Sequence, residues 1–186
     1  MGLADLWRPA ADESKDLDVL VYDKVLWEHE RHERELIGPI IESLRRRQLR
    51  FEVIRYGSYR EELYRAALRR SRLMVFLCAH ETQGFAYLQA LSSGVPIFAW
   101  DPGGLWRDPD YYPHRVRFGP VTSVPYWDAR CGMKFLDAAQ YQERLDAVLD
   151  RVEKRAFEPR AYVLETLTLE SCARKYLEHV AAAREP

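Results

Sequence analysis

The sequence predicts an α/β fold, a parallel sheet covered by helices on both faces. Three observations carry this. Apolar strand-like runs alternate with amphipathic helix-like segments at about thirty-residue spacing, the pattern of right-handed βαβ units. The run Leu73 to Cys78 holds no polar residue, as a central strand buried on both faces requires. The chain has 186 residues, 47% apolar and 31% charged, a globular mixture large enough for one core.

The elements follow in order. Leu17 to Tyr22 is a short β-branched run and reads as a buried strand. Residues 30–47 turn helical, with Leu36, Ile37, Ile40, Ile41 and Leu44 on one face, and Pro39 inside the pattern predicts a kink or a late start. Phe51 to Tyr56 alternates like a second strand that Gly57 ends. Ser58 and Glu61 have capping-box spacing and predict a helix start, with Leu63, Ala67 and Leu68 facing inward as far as Arg70. After the central strand come a polar loop, 80–84, and a helix from Phe85 to Ser92 that Gly94 stops. Val95 to Trp100 is a further strand with Pro96 near its start, and Asp101 to Gly104 a tight turn. Residues 105–136 are rich in Pro, Tyr and Trp, with short strands expected at 116–118 and 121–124. Two trailing helices close the chain. Asp137 to Ala156 carries Tyr141, Leu145, Val148, Leu149 and Val152, and Thr168 to Ala182 carries Leu169, Cys172, Tyr176, Leu177 and Val180 on one stripe. The whole is a single Rossmann-like domain over 1–186, with 1–16 as a linker remnant and 157–186 as a helical tail.

Composition excludes several function classes. The net charge of −1 gives no global attraction to nucleic acid or anionic lipid. The longest apolar run, Leu73 to Ala79, is far shorter than the roughly 20 residues of a membrane span. The opening MGLADLWRP lacks a signal peptide's basic stretch and apolar core. Cys78, Cys131 and Cys172 are widely spaced and read as reduced thiols, Cys78 and Cys172 packed and Cys131 in a loop. A cytoplasmic location is the expectation.

In parallel sheets of this kind ligands bind outside the carboxyl ends of the strands. That geometry selects the loops 23–29, 57–59, 79–84 and 101–104. The segment His80-Glu81-Thr82-Gln83-Gly84-Phe85 opens a helix, whose unpaired N–H groups and partial positive charge favour an anion such as a diphosphate. Gly84, lacking Cβ, would let a ligand approach the backbone. Lys24 stands on the same sheet edge, and Gln89 lies about one and a half turns into the helix, where its amide could hold a ribose diol. Taken alone, a glycine and an acidic residue at a helix start also serve as ordinary capping. His29 and His32 lie among Glu and Arg residues and read as a solvated, ion-paired helix face, so no metal is expected. Tyr111, Tyr112, Tyr126 and Trp127, with Arg115, Arg117 and Arg130, read as filling of a loop-rich flank. Asp16-Leu-Asp18 lies at the wrong sheet edge for a site, and Asp108-Pro-Asp110 reads as a solvated turn.

The stretch from Leu77 to Gly104, with Glu81, Gly84-Phe85, Gln89, Gly94-Val95-Pro96 and Gly103-Gly104, resembles the donor-binding, carboxyl-terminal half of GT-B glycosyltransferases. It is most similar to the retaining group marked by two Glu residues with seven between them. Gly57 before Glu61-Glu62-Leu63, Trp7-Arg8-Pro9, and Pro159-Arg160-Ala161-Tyr162 extend the resemblance over nearly the whole chain. The resemblance implies that Glu81 contacts the donor sugar and acts as the catalytic group. Gln89, in place of the second Glu, would contact the ribose. The backbone of Thr82, Gln83, Gly84 and Phe85 would hold the diphosphate, Lys24 its charge, and Gly57, Ser58 and Tyr59 the base. Where the group has a second basic residue, His29 stands here, leaving Lys24, with Arg31 or Arg34, to neutralise phosphate. The substrate implied is a nucleotide sugar such as a UDP- or GDP-sugar, with no cofactor. The partner implied is an acceptor domain supplied in trans or a second copy, with no nucleic acid and no membrane. Two other readings stay open: a non-catalytic nucleotide or nucleotide-sugar binding module, and an α/β interaction domain.

Overall fold

The structure, a computed structural model, describes residues 2–9, 15–106 and 118–183. Five strands form one all-parallel sheet in the order β2-β1-β3-β4-β5. They are β1 (Leu17–Asp23), β2 (Phe51–Arg55), β3 (Ser71–Leu77), β4 (Ile97–Trp100) and β5 (Gly132–Phe135). β3 occupies the centre, and every residue of Leu73 to Leu77 is fully buried. The fold is the expected Rossmann-like α/β architecture.

Alternation along the strands divides the core into two layers. On one face Leu20, Tyr22, Met74 and Phe76 meet α1 (Leu3–Leu6), α4 (Glu61–Arg70), α5 (Phe85–Ser92) and α7 (Pro159–Thr166) through Tyr64, Ala67, Tyr87 and Val163. On the other, Val19, Val21, Val75 and Phe98 meet α3 (Gly38–Arg46) and α6 (Ala138–Glu153) through Ile40, Leu44, Tyr141 and Leu145. The last helix, α8 (Leu169–Ala182), buries no residue. Its Leu169, Tyr176 and Leu177 are about two-thirds exposed.

Several local expectations are corrected. The helix expected over 30–47 is three segments, α2 (His29–His32), a π-turn (Glu33–Ile37) and α3. Pro39 offers no N–H and its ring crowds the carbonyl four residues back. The chain answers by widening one turn, and the Gly38 N–H closes onto Glu33 O. Ser58 caps nothing. α4 starts at Glu61 with Arg60 as its N-cap, because Tyr59 turns inward and its hydroxyl meets that of Tyr22 at 2.7 Å. Consequently Tyr64 faces the core and Leu63 is half exposed. Val121 to Val124 forms no strand; Thr122 and Ser123 instead bond Asp101. The residues 116–117 lie outside the described residues, as do Tyr111, Tyr112, Arg115, Asp108 and Asp110. β5 and α7 were not foreseen. Cys172 is exposed rather than packed, while Cys131 is fully buried.

The chain's beginning is packed onto the domain. Trp7 is buried against Tyr64, with the Arg65 guanidinium 4.6 Å above its ring. Arg160, at the start of α7, donates to the carbonyls of Ala4 (3.2 Å), Trp7 (3.1 Å) and Ser92 (2.6 Å). Among the described residues no helix is long and apolar enough to cross a membrane.

Candidate functional site

After β1 the chain crosses to β2 on one side, then returns past β1 to β3 on the other. The strand order therefore reverses between β1 and β3, and a parallel sheet opens its binding crevice at such a point. The loops that follow those two strands carry Lys24 and Glu81. Lys24 Nζ donates to the Glu81 carboxylate, and both side chains are largely shielded from solvent. The Lys24 ammonium also sits 4.7 Å above the Tyr56 ring. The Lys24 N–H bonds Leu77 O, and the Glu81 N–H bonds Thr122 O, so the backbone fixes both positions.

Beside this pair lies a second, which corrects the reading of His29 as part of a solvated helix face. The buried Asp23 takes the Val25 N–H on Oδ1 (3.0 Å) and His29 Nε2 on Oδ2 (2.7 Å). Arg55 approaches His29 Nδ1 at 3.5 Å. The polarity of Asp23, at the end of a strand whose other carboxylate, Asp18, lies at its start, was the available signal. Arg31 is engaged along its own helical run by Glu35 (2.9 Å) and Glu28 (3.5 Å). Arg34 is exposed.

The glycine loop runs along the same edge. Thr82 and Gln83 are exposed, and Phe85 is the most exposed aromatic of α5. Residues 82–87 donate no backbone hydrogen bond to the described backbone; the first N–H satisfied within the helix is that of Leu88, on Gly84 O. Among the described residues the mouth of α5 thus presents free donors. Gly84 caps the helix at φ +72. Its missing Cβ is not room for a ligand: a Cβ there would stand 2.0 Å from the ring of Tyr87. Gln89 lies four residues after Phe85 and is partly exposed.

Gly57 and Ser58 are exposed in the turn after β2, and Tyr59 is partly buried against Tyr22 and Tyr64. This places all four selected loops on one sheet edge, as their positions after β1, β2, β3 and β4 require.

A cleft of about 200 Å³ is walled by Leu26, Trp27, His32, Trp100 and Leu105, with Val25 and His80, the chain neighbours of Lys24 and Glu81, in its lining. His80, buried at its rim, stacks between Trp27 (5.3 Å) and Trp106 (4.2 Å). Asp101 follows β4. It accepts from Lys134 Nζ (2.8 Å), the Ser123 N–H (2.8 Å) and the Thr122 hydroxyl (2.9 Å). Burial raises its carboxyl pKa, but these three donors outweigh burial and hold it below the ordinary carboxylate value. Burial pushes the Cys78 thiol, beneath Glu81, up to about 12. No group of three or more His, Cys, Asp or Glu side chains converges as a metal site among the described residues. His32 meets the edge of Trp100.

No protein-family model matches the chain, and neither does any curated protein. Among solved structures it is similar to that of TarM, with a TM-score of 0.57 and 16% identity, over 92% of this chain. It is also similar to the GtfA/B complex, with a TM-score of 0.44 and 12% identity, over 84% of this chain. The chain spans 36% of the length of either neighbour's chain. At such identity the likeness to TarM concerns the fold alone, an α/β Rossmann-like architecture.

Proposed function

We propose that this chain is the donor-binding half of a glycosyltransferase, holding a nucleotide-diphosphate sugar for transfer to an acceptor bound elsewhere. The observation that carries the reading is the meeting, at the topological switch point, of the Lys24–Glu81 pair with the free N–H groups at the mouth of α5. The N–H groups of residues 82–86 and the Lys24 ammonium would take the diphosphate. Glu81, released from Lys24, would accept from the sugar hydroxyls. Gln89 would meet the ribose, and Gly57, Ser58 and Tyr59 would border the base. The fold shared with TarM supports this assignment.

In this arrangement Glu81 and the diphosphate compete for one ammonium. A direct test follows, by calorimetric titration with UDP, GDP and ADP and with the corresponding sugar conjugates. Lys24→Ala should weaken diphosphate binding by about 1–3 kcal/mol, the worth of a charge-assisted hydrogen bond. Glu81→Gln should tighten binding of the bare diphosphate, by freeing Lys24, and should abolish any gain from the attached sugar. If no nucleoside diphosphate saturates the protein, or if both variants bind like the parent, the reading fails. If the sugar conjugate gains nothing over the bare diphosphate in the parent, a nucleotide-binding module remains.

A further inference from the structure

The edge of the sheet opposite the switch point carries a second concave site. A groove of about 600 Å³ is bounded by Lys15 before β1, Arg72 at the start of β3, Gly94 and Pro96 before β4, and Val152, Arg155 and Phe157 at the end of α6. Its volume falls within the range of small-molecule sites. Val152, Pro96 and the buried Phe157 give it an apolar wall, and three cations point the charge in one direction against Glu153 alone.

The other cations on this edge have carboxylate partners. Arg50 bonds Asp18, and Arg70 bonds both Asp16 and Glu52. Those lining the groove are differently placed. Lys15 is half-buried, and no described carboxylate forms an ion pair with it. Arg72 reaches Asp18 only at 3.9 Å and turns its Nε toward Lys15 O at 3.4 Å. Burial first, and then the charge of Arg72, lower the Lys15 pKa, so the folded chain pays for holding this ammonium where it is. Arg155 adds a second expense. It sits just beyond α6 at φ +52, a left-handed conformation that favours glycine and that helices commonly give to glycine at this place. An ammonium that no described carboxylate pairs, beside a guanidinium held only at 3.9 Å from its carboxylate, suits an anionic occupant.

We infer that this groove binds a phosphate monoester, with the phosphate between Lys15, Arg72 and Arg155 and an apolar body against Phe157 and Pro96. One ammonium and two guanidinium forks suit a dianion of that shape. The occupant touches Gly94 and Pro96, which link the carboxyl end of α5 to β4, so it reports to the helix whose other end faces the switch point. The inference is independent of the function proposed above.

The test uses phenyl phosphate as probe, followed by amide resonances of the whole chain in ¹H–¹⁵N spectra. Saturable shifts are expected at Gly94, Val95, Arg155 and Phe157, at concentrations at least fivefold lower than with inorganic phosphate. Arg155→Gly relieves the left-handed strain, and Lys15→Gln removes an ammonium that no described carboxylate pairs. Both should therefore leave the melting temperature unchanged or raise it, while weakening phenyl phosphate binding at least fivefold. A purely structural role for Arg155, as a cation complementing the end of α6, predicts the reverse for stability. Lys24→Ala, at the opposite edge, should leave this binding unchanged. The inference is overturned if the shifts do not saturate, if inorganic phosphate binds as well, if Arg155→Gly and Lys15→Gln bind like the parent, or if the shifts centre on Lys24 and Glu81.

Discussion

Substituting Gly84 by alanine should injure the fold before it touches any ligand. The residue stands at φ +72, where a side chain adds roughly 1–2 kcal/mol of strain. The new Cβ would lie 2.0 Å and 2.5 Å from two carbons of the Tyr87 ring. That ring cannot yield easily. It is fully buried, packs against Phe76 at 5.6 Å between centroids, and its hydroxyl accepts the Tyr126 N–H at 3.0 Å. Overpacking at such a place adds roughly 1–3 kcal/mol, for a total of about 2–5 kcal/mol. For a chain of this size the melting temperature should fall by roughly 5–15 °C. Gly57 provides the control. It has a similar φ of +79 but nothing within 4 Å of a built Cβ, so Gly57→Ala should show the strain alone, about 1–2 kcal/mol. Urea unfolding of both variants, and of Gly84→Ala in a Tyr87→Leu background, separates strain from collision. The reasoning is refuted if Gly84→Ala is no more damaging than Gly57→Ala, or if shrinking Tyr87 rescues nothing.

Other outcomes follow from the same geometry. Asp101→Asn should destabilise the fold by about 2–4 kcal/mol at pH 7, since it breaks a shielded ion pair and leaves Lys134 uncompensated. The carboxyl pKa is depressed in the folded state, so its contribution is complete above the unfolded value near about 4 and is lost as pH falls further. The gap between parent and variant in urea melts should accordingly close as the pH is lowered below about 4. With a thiol reagent the native chain should show one fast-reacting cysteine, Cys172, because burial raises the thiol pKa of Cys78 to about 12 and of Cys131 to about 11; mass mapping of the labelled residue decides it. Tyr176→Ser and Leu177→Ser should each alter unfolding free energy by under about 0.5 kcal/mol, because neither side chain is covered; a larger loss in urea melts would mean that α8 packs against the domain.

The parallel sheet and its order of elements were legible because buried strands write themselves as apolar runs, here Val19 to Tyr22 and Leu73 to Leu77. Leu17 to Asp23 and Ser71 to Leu77 differ from the sequence boundaries by only one or two residues. β5 escaped because an edge strand need bury only part of itself: in Gly132–Phe135, Met133 and Lys134 are half-covered and the alternation is lost. α7 escaped because its eight residues show no dominant apolar face, though Pro159 at its first position was a usable sign. At the candidate site, the loops could be selected from topology alone, and Lys24, Glu81 and Gly84 lie where that argument put them. Partnership was not legible. The Lys24–Glu81 bond spans 57 positions, and the inward turn of Tyr59 depends on a hydroxyl 37 positions away. Neither leaves a local pattern. The role of Gly84 was half legible: the need for glycine could be read, but the atom that enforces it, in the Tyr87 ring, could not.

The three carbonyls gathered by Arg160 impose a timetable on the growing chain. The guanidinium that seals the far end of α5 is synthesised 68 residues after Ser92, and 153 residues after Trp7. Until α7 has emerged, the tail of α5 and the opening segment around Ala4 and Trp7 lack the guanidinium that bonds the carbonyls of both. The central strands can pair during translation, whereas the helix whose mouth faces the switch point is locked only after Arg160 has been made. A nascent chain halted before residue 160 would hold a formed sheet with its glycine loop still loose.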